Sequence, residues 1–168
     1  MGKQLKVAVV MGSDSDFPTL KSCIKILKDF GLETEVTVCS AHRTPDKAAQ
    51  YARNAEKNGI GVIIAAAGKA AHLPGVLAAY TPIPVIGIPI KSSTMDGLDS
   101  LLSIVQMPSG IPVATVAIDG ADNAALLAVQ ILSTADENLR KKMIEYKAKL
   151  AVKVEEKNAA LQEKLTEI

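Results

Sequence analysis

The chain has 168 residues, a formal net charge of +1 at pH 7, and 48% apolar side chains with no Trp. That length fits one domain burying about two-thirds of its unfolded surface, and so small a charge gives no general attraction to nucleic acid or an anionic membrane. Aromatics are only 3%, which argues against stacking platforms for single-stranded bases and leaves the core to Val, Ile, Leu and Ala.

Residues 5–11, "LKVAVVM", read as a buried strand running into "GSDSD". Residues 17–30 carry Leu20, Ile24, Leu27 and Phe30 at helical spacing, with Gly31 as a stop. A second strand follows at 33–39. Thr44-Pro45-Asp46 has the form of a helix start: a cap, a proline in the first turn and an acid at the positive dipole end. That helix is expected to run to about Gly59. Strands are predicted at 61–67, 84–90 and 111–118, and helices at 73–80, 97–106 and 122–133. Alternating strands and helices imply right-handed crossovers and a parallel sheet covered on both faces. The expected fold is a doubly wound, three-layer α/β/α domain of five strands, with its core at about 5–134.

Residues 136–168 read as one long helix, with Leu139, Met143, Tyr146, Leu150 and Val154 at 3–4 spacing, then Leu161, Leu165 and Ile168. Such a helix, at about 136–166, would reach ~45 Å, longer than a small domain needs. Residues 61–135 hold only six charged side chains: Lys69, Lys91, Asp96, Asp99, Asp119 and Asp122. That pattern has two readings. One is a well-buried sheet with small-residue helices. The other, which we favour, is a homo-oligomer with the last helix on a neighbouring subunit. Cys23 and Cys39 form no CxxC pair, and with two dispersed histidines they make no zinc framework. No apolar run reaches the ~20 residues of a membrane span, and no signal-peptide pattern follows Lys3 and Lys6. A cytoplasmic protein is expected.

Open α/β sheets bind ligands beyond the carboxyl ends of their strands. Four segments fall there: "GSDSD" (12–16), "SAHRT" (40–44), "GKAAHLPG" (68–75) and "KSST" (91–94). Both histidines and an arginine lie on this edge. The first segment reads as a helix cap, or as an anion site at a helix start built on Ser13. Asp14 and Asp16 would repel a bare phosphate, so a carboxylate there suits sugar hydroxyls. Together these point to a ribose 5-phosphate group. Neither GxGxxG nor a phosphate-loop lysine pattern is present. In "SAHRT", Arg43 can fork onto phosphate oxygens and Ser40 adds a donor. His42 beside them suits proton transfer, because an unperturbed imidazole titrates near ~6.5. His72 either closes its loop or joins the site. The small residues of 68–75 let backbone approach a ligand, whereas "MPSGIPV" (107–113) reads as a rigid turn.

In order and interval, "GSDSD", "SAHRTP", "AAHLPG" and "SIVQMPSGIPV" resemble the class I PurE family, the N5-carboxyaminoimidazole ribonucleotide mutases of bacterial purine synthesis. The resemblance covers roughly residues 5–133 and continues into the last helix. It implies a flavodoxin-like fold and an octamer. It implies a carboxylate shift from the exocyclic nitrogen to ring carbon C4, with no metal, ATP or organic cofactor. By resemblance, His42 is the acid/base, Ser13, Ser40 and Arg43 hold the 5′-phosphate, and Asp16 the ribose. Amides from Gly68 to Leu73 would hold the ring and carboxylate, with His72 nearby. Lys69 departs from the family's second Gly in this loop. A related carboxylase group, which uses CO2 directly, usually has Lys in place of Arg43 and no Pro45, so "HRTP" favours the mutase. The rival of another class is a non-catalytic phosphoribosyl-binding module.

Overall fold

The computed structural model describes residues 6–166. Leu5 and Ile168, expected at the ends of the first strand and last helix, lie outside them. In chain order the elements are β1 (Lys6–Met11), a 3-10 turn (Asp14–Asp16), α1 (Phe17–Asp29), β2 (Thr34–Val38), α2 (Pro45–Asn54), β3 (Ile60–Gly68) and α3 (Leu73–Tyr80). They continue as β4 (Val85–Ile90), α4 (Leu98–Val105), β5 (Ala114–Thr115), α5 (Ala121–Ser133) and α6 (Glu137–Leu165). Every strand pairing is parallel, in the order β2-β1-β3-β4-β5. The chain therefore winds outward from β1 in one direction and from β3 in the other. The switch leaves a crevice beyond the carboxyl ends of β1 and β3, where doubly wound sheets take ligands.

Period-2 alternation sorts the strands between two layers. Val7, Val9 and Met11 pack with Leu20 and Leu27 of α1 and Ala128 and Val129 of α5. Ala8 and Val10 face the other way, with Ala48 and Ala52 of α2, Leu73 and Leu77 of α3, and Ile104 of α4. Both faces of β3 and β4 are covered, which is why "VIIAAA" and "VIGIPI" are continuous apolar runs rather than alternating ones. Gly87 in β4 is required by packing. A Cβ there would strike the Ile104 side chain and come within 3.0 Å of Val113.

Two expected boundaries are corrected. The second helix ends at Asn54, not near Gly59. Ala55 caps it with a three-residue-back bond to the Ala52 carbonyl at 3.3 Å, and turns fill the interval to Gly59, where φ is +80°. The fifth strand spans two residues rather than 111–118. Val116 N–H still donates to the Gly87 carbonyl at 3.1 Å and Asp119 N–H to the Pro89 carbonyl at 2.8 Å. Pro89 therefore faces β5 with the side of its backbone that lacks an N–H, and Pro112 removes a second donor. The remainder of the stretch runs alongside the sheet without a full ladder.

The long helix α6 is present, with 29 residues. Asp136 caps it, its Oδ1 accepting from the amides of Asn138 at 2.8 Å and Leu139 at 3.0 Å. Only its first turns dock. Leu139 and Met143 are buried, Lys142 Nζ donates to the Phe30 carbonyl at 2.8 Å, and the Tyr146 ring tilts against Phe30. From Lys147 to Thr166 every residue is exposed. Among the described residues, no helix is long and apolar enough to cross a membrane.

Candidate active site

The turns after β1, β2, β3 and β4 meet around a cavity of about 570 Å³, within the ~300–1,000 Å³ range of small-molecule sites. All nine residues singled out in the sequence line it: Ser13, Asp16, Ser40, His42, Arg43, Gly68, Lys69, His72 and Leu73. Two structural units form its walls.

The first unit joins the turns after β1 and β2. Ser40 and Thr44 hold each other, with Ser40 N–H donating to Thr44 Oγ1 at 3.1 Å and that hydroxyl donating to the Ser40 carbonyl at 2.9 Å. Thr44 therefore locks the loop, and its side chain makes no cap bond to α2. Arg43 N–H donates to Ser40 Oγ at 3.1 Å, and Arg43 Nη2 reaches across to the Gly12 carbonyl at 3.2 Å. The guanidinium thus bridges two turns 31 residues apart in sequence. In the first of them, Ser13 Oγ accepts from Ser15 N–H at 3.3 Å and from Ser15 Oγ at 2.8 Å. The cap reading of "GSDSD" holds for Ser13 on the 3-10 turn, while Asp16 precedes α1 without a side-chain cap bond.

The second unit is the histidine pair. His42 Nε2 and His72 Nδ1 lie 2.7 Å apart, with the rings edge to face. At that distance one hydrogen sits between the two nitrogens, so one ring donates and the other accepts. The tautomers of the two rings are therefore linked. An imidazolium at residue 42 would donate to a neutral His72 whose own hydrogen lies on Nε2. His72 is placed by the tight turn in which its N–H bonds the Ala70 carbonyl at 2.9 Å, just ahead of α3.

Asp16 is 9% exposed, and its carboxyl is raised above the ordinary aspartate range, chiefly by burial. Neighbouring Asp14 and Asp119 add to the rise, while hydrogen bonds with Ser13 and Ser15 pull against it. Asp119, on the loop after β5, also ties that loop to the end of β4, its Oδ1 accepting from Lys91 N–H at 2.9 Å. Three residues other than glycine have positive φ among those described: Lys69 (+56°), Asp96 (+53°) and Asp119 (+54°). All three lie on loops at the carboxyl edge. Such backbone costs roughly 1–2 kcal/mol away from glycine and clusters at functional sites.

The cavity is also lined by residues with no role assigned from sequence, including Ser15, Lys91, Ser92 and Ser93. Their position after β4 was legible, but their contacts were not. Ser92 spends its hydroxyl on the Asp99 carboxylate, 2.9 Å from both oxygens. No group of three or more His, Cys, Asp or Glu side chains suited to a metal occurs among the described residues.

A family model described as AIR carboxylase matches residues 6–153. The chain belongs to that family. It is 58% identical to the N5-carboxyaminoimidazole ribonucleotide mutase of Pyrococcus horikoshii over 157 residues, covering 94% of this chain and 89% of that protein. The enzyme of the same name from Thermotoga maritima is 54% identical over 158 residues, 94% of this chain and 92% of that one. The phosphoribosylaminoimidazole carboxylase of Saccharomyces cerevisiae is 57% identical over 140 residues, 83% of this chain but 24% of that protein. Among solved structures, Treponema denticola PurE superposes with a TM-score of 0.85 at 30% identity, covering 92% of this chain and 97% of that one. The sheet order described above is thus that of an AIR carboxylase family fold.

Burial of Asp16 has a consequence for stability. An unfolded aspartate titrates near ~3.9, and the folded value lies above it. Below the unfolded value both states are protonated and the group costs nothing. As pH rises through the folded value the unfolded chain releases its proton first, so stability falls. Asp16→Asn should therefore melt at a higher temperature than the parent at pH 7, with the gap closing toward pH 4. Thermal melts across this range check it, and a lower melting temperature at pH 7 would contradict the burial penalty.

Proposed function

We infer that the protein is an N5-carboxyaminoimidazole ribonucleotide mutase of purine biosynthesis. The observation that carries this reading is the meeting, in one cavity, of the Ser13–Ser40–Arg43 cluster with the His42–His72 pair. Family membership and relatives of that name at 53–63% identity support it.

The substrate combines a 5′-phosphate, a ribose, an aminoimidazole ring and a carbamate on the exocyclic nitrogen. Arg43 and the Ser13 and Ser40 hydroxyls serve the phosphate, since a guanidinium supplies several fixed donors to its oxygens. Asp16 accepts from the ribose hydroxyls. Gly68 and the loop to Leu73 lie against the ring and its carboxylate. His42, as imidazolium, gives its proton to the exocyclic nitrogen. The N–C bond breaks with its electron pair going to nitrogen, and CO2 is released as a neutral molecule. Ring carbon C4 attacks this CO2 and forms the new C–C bond. His42 then removes the C4 proton and the ring regains its aromaticity. One proton leaves and one returns, so the histidine ends as it began. His72 orients His42 and accepts from its Nε2–H in the charged state. Holding CO2 beside the ring removes the entropy of a second encounter. No step needs a metal or an organic cofactor.

The assembly we propose is a homo-oligomer, an octamer by family resemblance, in which α6 lies on a neighbouring chain. The supporting observation is its exposed stripe: Leu150, Val154, Leu161 and Leu165 share one face and are 44–62% exposed. On the edge strand, Val36 and Val38 are also exposed. A monomer would leave these apolar surfaces in water.

A second reading, direct carboxylation of aminoimidazole ribonucleotide, is favoured by the description of the family model and by the name of the yeast relative. Purified protein should convert N5-carboxyaminoimidazole ribonucleotide at low bicarbonate. Turnover confined to aminoimidazole ribonucleotide with added CO2 would reverse the choice. In the same assay His42→Asn should abolish turnover while keeping nucleotide affinity, and unchanged turnover would remove His42 from the chemistry. Arg43→Ala should weaken nucleotide binding by more than about tenfold, as expected from the loss of a charge-assisted contact. An unchanged dissociation constant would contradict the phosphate assignment. Light scattering at micromolar concentration should report the mass of eight chains, and a monomer would remove the proposed packing of α6.

A further inference from the structure

Three cations line the cavity, Arg43, Lys69 and Lys91, against one acid, Asp16. Two of the cations are already engaged. The Arg43 guanidinium bonds the Gly12 carbonyl and Ser40, and the Lys91 ammonium lies 3.3 Å from Asp96. Lys69 differs from both. Among the described residues its ammonium has neither an ion-pair nor a hydrogen-bond partner. Its backbone is left-handed, at φ +56°, a conformation that glycine adopts freely and lysine does not. Retaining a lysine there keeps an unpaired charge at the end of β3, in the lining of the cavity that also holds His42 and His72, at a cost in backbone strain. Strain of this kind persists where a site gains from it.

The ligand inferred above carries two anionic groups, and the Arg43 cluster accounts for one. We propose that the Lys69 ammonium receives the ligand's mobile carboxylate, so that the cavity prefers carboxylated aminoimidazole ribonucleotides to the decarboxylated one. This rests on the mutase reading and adds a selectivity to it. The carboxylate is charged before and after transfer but neutral as CO2 between. A fixed cation therefore stabilises both bound end states more than the intermediate. An interaction of that kind lowers KM without speeding the chemical step. Lys69 is on this account a binding and selectivity residue, while proton transfer belongs to His42.

The test compares two nucleotides by calorimetry on the full-length protein: 4-carboxy-5-aminoimidazole ribonucleotide, and aminoimidazole ribonucleotide, which keeps the phosphate but lacks the carboxylate. Lys69→Gly suits the left-handed backbone and should fold at least as well as the parent. It should weaken the carboxylated ligand roughly tenfold, the loss of one charge-assisted contact, and leave the decarboxylated one within twofold. Lys69→Arg should recover most of the difference. In turnover, Lys69→Gly should raise KM without lowering kcat. Equal weakening of both ligands would assign Lys69 to the phosphate and overturn the proposal, as would no weakening of either. Parent protein that binds neither nucleotide would instead sink the mutase reading itself, and the Lys69 assignment with it.

Discussion

Parallel pairing is the constraint on which the rest of this structure depends. Because every neighbour in the β2-β1-β3-β4-β5 sheet runs the same way, all strand carboxyl ends share one edge. Turns separated by dozens of residues in sequence then become neighbours in space. Arg43 can reach the Gly12 carbonyl, and His42 can touch His72, only because β1 lies between β2 and β3. Register fixes the distances. Met11 and Val38, the last residues of β1 and β2, lie level with Ala66, two residues before the end of β3, so the three following turns start within two residues of one level. The apolar layers on both faces keep that level fixed. Their density leaves little freedom for a strand to slip, since a shift by one residue would turn its buried side chains to the wrong face.

The site built on this edge divides its work between rigid and strained parts. Thr44 and Ser40 close their loop by mutual bonds, and Asp119 clamps the loop after β5 to the end of β4. These contacts leave few degrees of freedom to be lost when a ligand binds. The buried Asp16 and the left-handed Lys69 work against stability in the protein alone. Both belong to groups that a charged, hydroxyl-rich nucleotide could reward. Proteins commonly hold such local costs at functional sites and offset them in the core.

Much of this was legible in the sequence, for reasons that can be named. Fully covered parallel strands must be continuously apolar, so β1, β3 and β4 stood out from their composition alone. Gly31 marked the stop of α1 and Pro45 the start of α2. The carboxyl-edge rule then gathered the four segments of the site, and the nine residues assigned to the ligand line the cavity. What escaped depends on contacts rather than pattern. The shortness of β5 follows from Pro89 on its neighbour, not only from its own residues. The end of α2 at Asn54 is a matter of turn geometry over 55–59. Thr44 has a cap's identity but bonds backward to Ser40. The pairing of the two histidines links positions 30 residues apart, and no local spacing encodes that.

The central claim is that these turns surround a single ligand with one imidazole in reach of its ring. A crystal structure of the protein with 4-carboxy-5-aminoimidazole ribonucleotide bound tests it most directly. The account predicts the phosphate against Ser13, Ser40 and Arg43, with the ring carbon that bears the carboxylate facing His42. A nucleotide found elsewhere on the surface, or bound here with His42 turned away from the ring, would contradict it.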